Sequence, residues 1–328
     1  MSLRLRSFLQ PLWLAPLALL AAAPALADPA PGAKEAARNV LGKAPKAHAP
    51  LPPAYEPRPA IWLLADEDTK IYLFGTIHIL PPGFRWRSPA FERVAAQADE
   101  LVVETYDPPG EEDHAALAEL FMRKDAAPLL ARVPEGKRAA LKAAVAETGM
   151  PMPFLDTLHT WAAAMTLGVA ALLGQYEVDD ADDAPGVEDV LEVEFREAKK
   201  PIVSIEDGLA VLRAMNALPE KEQVALLLEG IEETDEAPAK TEAEDAEDNL
   251  LWATGKPERL GGALREALSP ALYDLLLRRR NAAWTVWLQE RLKKPGTVLV
   301  AVGAGHLTGE DSLQTMLAAR GLEARRYD

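Results

Sequence analysis

Cysteine occurs nowhere in the 328 residues. That excludes disulfides, and it excludes a lipoprotein anchor, which needs a thiol. Basic residues are also in short supply: 35 Lys and Arg face 51 Asp and Glu, for a formal net charge of −16. A surface this acidic repels phosphate backbones and anionic headgroups, so neither nucleic acid nor an acidic membrane surface is an expected partner. Long apolar runs are missing after residue 27, so no stable membrane span is expected once the leader is gone. Histidine is scarce, at five positions. Two of the five close matched strand endings.

What is present begins with an export pattern. Arg4 and Arg6 precede an apolar stretch from about Leu12 to Ala23, and Ala25-Leu26-Ala27 forms a cleavage site before Asp28. Residues 1–27 therefore read as a signal peptide, which makes the mature chain periplasmic or secreted. An uncleaved anchor is the alternative; Pro11, Pro16, Pro24 and the short apolar core weigh against it. The leader carries two bases and no acid, so its removal takes the net charge from −16 to −18. Residues 28–59 are rich in Pro and Ala, lack period and read as a flexible tether.

Residues 60–328 read as one α/β domain, with a mixed, largely parallel sheet and a mostly helical insertion over about 111–290. Two apolar runs flank Asp66-Glu67-Asp68-Thr69 and predict a hairpin. Ser88-Pro89 opens a helix, with a capping hydroxyl followed by proline at the first helical position. "LVVET", Leu101–Thr105, reads as a buried strand, so strand, helix and strand form a parallel unit. Helical period runs from Glu111 to Gln175, then an acidic turn follows at Asp179 to Ala184. A helix is expected from about Val187 to Ala198 and a strand from Ile202 to Ile205. The acidic stretch 229–248 reads as a mobile loop. Ser269-Pro270 opens a long helix to about Lys293. A strand over 297–302, a helix over 311–320 and a last strand over 322–327 complete the chain.

The chemistry gathers at strand ends. "YLFGTIHIL" ends a strand on Gly75-Thr76-Ile77-His78, and "VLVAVGAGHL" ends another on Gly303-Ala304-Gly305-His306. In open α/β sheets, sites form beyond the carboxyl ends of parallel strands. His78, Glu104 and His306 are the ligand-grade side chains placed there. Two imidazoles and a carboxylate can hold a divalent transition metal with a position left for water. Glycine in each motif lets a neighbouring strand or a substrate approach the backbone. The bland readings stand beside these: a strand-end histidine is often structural, Gly-x-x-His recurs by chance, and Glu104 could cap the next turn. His159 on an apolar helix, His114 in an acidic helix start and His48 in the tether are given no role. On the long helix, Arg280 and Asn281 share faces with Trp284 and suggest a pocket wall, or an arginine snorkelling from a core helix. Periodicity does not separate Arg280 from Arg279.

Taken in order, "LFGTIHIL", "LVVET", "PGVEDVLEVEFREAKKPIVSIED", "RRRNAAWTVWLQERL" and "VAVGAGHLTGEDSLQTMLAARGLEARRY" resemble the TraB/GumN family over about residues 58–328. That family is similar to the Tiki metalloproteases and, more distantly, to erythromycin esterase-like hydrolases. The resemblance implies a hydrolytic fold dependent on a divalent metal such as Zn, Mn or Co. It puts His78 and His306 at the metal, Glu104 beside them as ligand or general base, and Glu188, Arg280 and Asn281 around the site. Glu206 matches a usual acidic position without an assigned role. The acidic stretch 229–248 is poorly matched. The expected protein is an exported metal-dependent hydrolase acting on a peptide or small molecule, with a peptide as the first choice. The alternative is a non-catalytic envelope accessory or binding protein, linked through the GumN name to exopolysaccharide production.

Overall fold

The computed structural model describes residues 55–108, 114–124, 127–176, 178, 184–231, 242–257, 265 and 268–327. The expected signal peptide, residues 28–54 of the expected tether, residues 179–183 of the acidic turn and residues 232–241 of the acidic stretch lie outside the described residues.

The hairpin forms as its sequence dictates. β1 (Ile61–Ala65) pairs antiparallel with β2 (Thr69–Thr76), and Asp66 turns the chain by accepting the Thr69 amide on Oδ1 at 2.9 Å. After β2 the chain enters α1 (Pro89–Gln97), whose Ser88 cap accepts the Phe91 amide at 3.1 Å. Such a cap stabilises a helix by about 1 kcal/mol. α1 leads to β3 (Glu100–Val103). The helical insertion follows with α2 (His114–Phe121), α3 (Arg138–Thr148), α4 (Thr160–Gln175) and α5 (Val187–Glu197). A short strand, β4 (Ile202–Ser204), interrupts it before α6 (Gly208–Asn216), α7 (Glu220–Glu229) and α8 (Glu242–Ala253). The long helix begins with a turn at Pro270–Tyr273, passes through a π turn at Asp274–Arg278 and becomes α9 (Arg279–Arg291). β5 (Gly296–Gly303), α10 (Leu313–Ala318) and the two-residue β6 (Arg325–Arg326) end the domain.

Among the described residues the strands form one six-stranded sheet in the order β4-β3-β5-β2-β1-β6. β4, β3, β5 and β2 run parallel, and the antiparallel β1 makes the sheet mixed. β5 lies between β2 and β3, so the early parallel unit encloses a strand supplied some two hundred residues later. Side chains alternate across the pleat. Phe74, Leu101, Val103, Leu299 and Ala301 cluster with residues of α1, α4 and α5, while Leu73, Val102, Val298, Val300 and Val302 cluster with Trp284 and Leu288 of α9 and with α10. Both faces are covered, which is why these strands read as unbroken apolar runs. Each fully buried Leu or Phe stabilises the fold by about 1.5–3 kcal/mol.

Two expectations need correction. The ends of the acidic stretch are built into the domain. Ile231 is buried, residues 242–248 belong to α8, and Trp252 further along α8 donates from its indole to the Gly75 carbonyl at 2.8 Å. The acidic residues there mask a helical period that buries Asn249, Trp252 and Ala253. The tether, too, stops short of residue 59. Tyr55 lies against Phe84 with ring centroids 5.9 Å apart, and the Arg58 amide donates to the Ala253 carbonyl at 2.7 Å. Proline supplies no periodic signal, so this docking leaves no trace in the pattern.

Candidate functional site at the carboxyl edge of the sheet

Parallel pairing fixes the ends of three strands at one edge. Thr76 stands opposite Gly303, and Val103 opposite Ala301. His78, Glu104 and His306 follow within three residues of those strand ends, so one edge receives all three. The two motifs also touch. A Cβ on Gly75 would lie 3.0 Å from the Ala304 Cα, so glycine in the first motif admits the backbone of the second.

His78 is braced by the start of α5. Gly186, the residue before α5, packs directly on the His78 backbone; a Cβ there would overlap the His78 carbonyl. The Val187 amide donates to the Ile77 carbonyl at 3.0 Å. This docking delivers Glu188, whose Oε1 lies 3.0 Å from His78 Nδ1 and also accepts from Thr76 Oγ1. Its other oxygen, Oε2, is buried without a hydrogen-bond partner among the described residues. Burial works to lower the His78 pKa, but the charge and hydrogen bond of Glu188, with Glu104 and Asp189 behind them, outweigh it. The net direction is up from the ordinary 6.5. Farther along α5, burial and the charges of Asp189 and Glu188 push the Glu192 carboxyl up to about 8.

His306 is braced by the start of α9. Asn281 Nδ2 donates to the carbonyls of Asp311 at 2.7 Å and of His306 at 3.2 Å. Those two acceptors fix which end of the amide is which, so Asn281 Oδ1, 2.6 Å from His306 Nδ1, accepts. The proton of the neutral ring therefore sits on Nδ1, and the Nε2 lone pair is exposed to Arg280 NH1 at 3.1 Å. Burial, then Arg280, then His78 hold the His306 pKa well below 6.5.

Arg280 occupies the centre. Its Nε donates to Glu206 at 2.9 and 3.0 Å, NH1 donates to the Leu276 carbonyl at 3.1 Å, and NH2 donates to both Glu104 and Glu206. The guanidinium also lies 4.7 Å from the Trp284 ring centre. Glu104 Oε1 accepts the Gly303 amide at 2.7 Å and stands 3.7 Å from His306 Nε2. Glu206 follows β4 as Glu104 follows β3, and the Trp284 indole donates to it at 3.0 Å. The buried Glu104 and the partly buried Glu206 face a single guanidinium, and against the opposing effect of burial the two acids raise the Arg280 pKa.

The donor chemistry suits a divalent ion. Each imidazole is held at Nδ1 by an oxygen from a helix, the bracing that orients histidine ligands. Glu188 and Glu104 add carboxylate oxygens. As the side chains stand, no group of three or more His, Asp or Glu among the described residues is arranged to hold a metal ion. The Arg280 fork lies on Glu104 and on His306 Nε2, two of the three expected ligands.

All six expected site residues, His78, Glu104, Glu188, Arg280, Asn281 and His306, are brought together, each no more than 7 % exposed. The structure also separates the arginines: Arg279 is exposed and pairs with Asp274. His159 precedes α4, half-buried near Arg123 and Glu220. His114 starts α2, and His48 lies outside the described residues. Sequence reasoning missed Thr76, although it stands inside the first motif, and gave Glu206 no role.

A model of the TraB/PrgY/gumN family matches residues 60–326. Among curated proteins, "Uncharacterized protein YbaP" of Escherichia coli (strain K12) is 26% identical over 268 residues, covering 79% of this chain and 92% of that protein. The protein of the same name from Shigella flexneri aligns with the same identity and coverage, 26% over 268 residues. No solved structure matches.

Proposed function

The chain belongs to the TraB/PrgY/gumN family, and from that membership and the buried polar edge we propose that it is an exported, metal-dependent hydrolase whose first-choice substrate is a peptide. The observation that carries this reading is the pair of braced imidazoles, Glu188 on His78 at 3.0 Å and Asn281 on His306 at 2.6 Å, beside Glu104. His78, Glu104 and His306 would hold the ion, a zinc, manganese or cobalt. Bound there, such an ion supplies an activated water and polarises a carbonyl.

The chain's own groups do the rest. Asn281 keeps the His306 proton on Nδ1 and so keeps Nε2 a donor of its lone pair. Glu188 orients His78 through Oε1, and its second oxygen is the acceptor available for a proton from the attacking water, which the same carboxyl can pass to the leaving nitrogen. Arg280 is the donor for a carbonyl oxygen that gains negative charge. Trp284, packed on His306 at 4.3 Å between ring centres, excludes water from that side. Export rests on the leader: Arg4 and Arg6, the apolar stretch and the Ala25-Leu26-Ala27 site.

A second reading is favoured by one observation. Among the described residues His78, Glu104, Glu188, Arg280, Asn281 and His306 are each no more than 7 % exposed, which leaves a substrate little access to them as the side chains stand. A non-catalytic envelope accessory protein with this fold fits that closure. Turnover separates the two. Mature protein reconstituted with zinc, manganese or cobalt should cleave members of a mixed peptide library, and chelation or His78→Ala should abolish cleavage. A metal-loaded protein that cleaves no peptide and no ester would leave the accessory reading.

A further inference from the structure

Among the described residues Glu206 receives more of Arg280 than any other does. It accepts Nε twice, at 2.9 and 3.0 Å, and NH2 once, while the Trp284 indole at 3.0 Å fixes its orientation. The opposite side of the same guanidinium lies on Glu104 through NH2 and on His306 Nε2 through NH1 at 3.1 Å. The fork therefore has an anchored edge and a working edge. The anchored edge faces an acid that the metal reading does not use. The working edge covers two of the donors it does use.

We propose that Glu206 is a positioning residue that holds Arg280 as a resident cation on Glu104 and His306, and receives it when a divalent ion takes those donors. This rests on the metal-centre reading above. A carboxylate taken out of water needs a compensating charge, and an uncompensated one is costly. With the ion absent, the guanidinium supplies that charge to Glu104. With the ion present, one cation too many would sit on Glu104, and the fork shifts its weight to Glu206. Its planar, rigid set of five donors is what lets it hold Glu206, Glu104 and His306 at once while the ion is absent, and so compete with the ion. A lysine carries the same charge but one compact ammonium, which cannot span Glu206, Glu104 and His306 together.

The exchange is read as zinc affinity by titration calorimetry of the chelator-stripped mature protein. Arg280→Lys keeps the charge and removes the fork, so it should bind Zn²⁺ about tenfold or more tightly than wild type, because the ion displaces fewer charge-assisted hydrogen bonds. Glu206→Gln keeps the shape and removes the receiving charge, so it should bind about tenfold more weakly. If Arg280→Lys does not fold, Glu206→Gln against wild type decides alone. An Arg280→Lys affinity equal to or below wild type, or a Glu206→Gln affinity equal to or above it, overturns the exchange while leaving the metal reading intact. Absence of zinc binding by wild type and both variants overturns the metal reading and the exchange with it.

Discussion

The two Gly-x-x-His endings are alike in sequence and opposed in electrostatics. The first sends His78 against a carboxylate, Glu188, and its pKa rises. The second sends His306 against an amide, Asn281, and a guanidinium, Arg280, and its pKa falls. The strands beneath them are neighbours in one sheet, with Thr76 and Gly303 in register. What differs is the helix that arrives at each. α5 brings its acidic first turn to His78, and α9 brings an arginine and an asparagine to His306. Environments that push two titratable groups apart in this way are characteristic of acid–base sites. A short motif fixes where a side chain stands; the packed partner fixes its charge.

The largest expected effect comes from removing the cation that only the second ending has. Arg280→Ala leaves the buried Glu104 and the partly buried Glu206 without their shared partner and should cost about 3–5 kcal/mol of stability. Urea unfolding of wild type and variant reads this directly. A loss below about 1 kcal/mol would show that the carboxyls find water or protonate at little cost.

Exchanging the character of the two braces sharpens the contrast further. In the metal-free protein, Asn281→Asp gives His306 a carboxylate and should raise its pKa. Glu188→Gln removes the carboxylate from His78 and should lower its pKa. Imidazole NMR titrations follow both. The pH dependence of stability has a definite sign for each ring. The raised His78 contributes stability that is complete below the unfolded pKa of about 6.5 and is lost as pH rises through its folded pKa. The depressed His306 contributes stability that is complete above about 6.5 and is lost as pH falls toward its folded pKa. Glu188→Gln should therefore flatten the alkaline side of the stability profile, and Asn281→Asp the acid side. Identical shifts at both rings would erase the distinction drawn here.

A smaller effect belongs to Glu192. Its carboxyl is held up to about 8, so between the ordinary carboxylate range and that value the folded state keeps a proton that the unfolded state has released. Stability then falls as pH rises through this window. Glu192→Gln should remove the slope. It should leave stability near wild type at pH 4 and raise it by about 1–2 kcal/mol at pH 9, a figure discounted because the residue is only half-buried. Equal stabilities of the two proteins at pH 9 would place Glu192 in contact with solvent.

Much of the fold was legible because both faces of the sheet are covered. Unbroken apolar runs at β2, β3 and β5, serine caps before α1 and the long helix, and the parallel logic of the early unit put His78, Glu104 and His306 at one edge. The side-chain partnerships were not legible. Glu188 meets Thr76 across 112 residues, and Glu206 meets Arg280 across 74, contacts that no local period records. Arg279 and Arg280 are adjacent, and the π turn just before them shifts the helical phase on which a face assignment depends. The acidic stretch misled for a related reason: charge dominates its composition, while a few apolar residues, Ile231 and Trp252 among them, anchor its borders.

The central claim is that the two endings serve one ion. Metal analysis of the purified protein, residues 28–328, in wild type and in the His78→Ala, His306→Ala and His159→Ala variants, tests it most directly. The account predicts about one equivalent of a divalent transition metal in wild type and in His159→Ala, and loss of that metal from both motif variants, each still folded by circular dichroism. Metal retained in either motif variant, or absent from well-folded wild type after reconstitution, would contradict it.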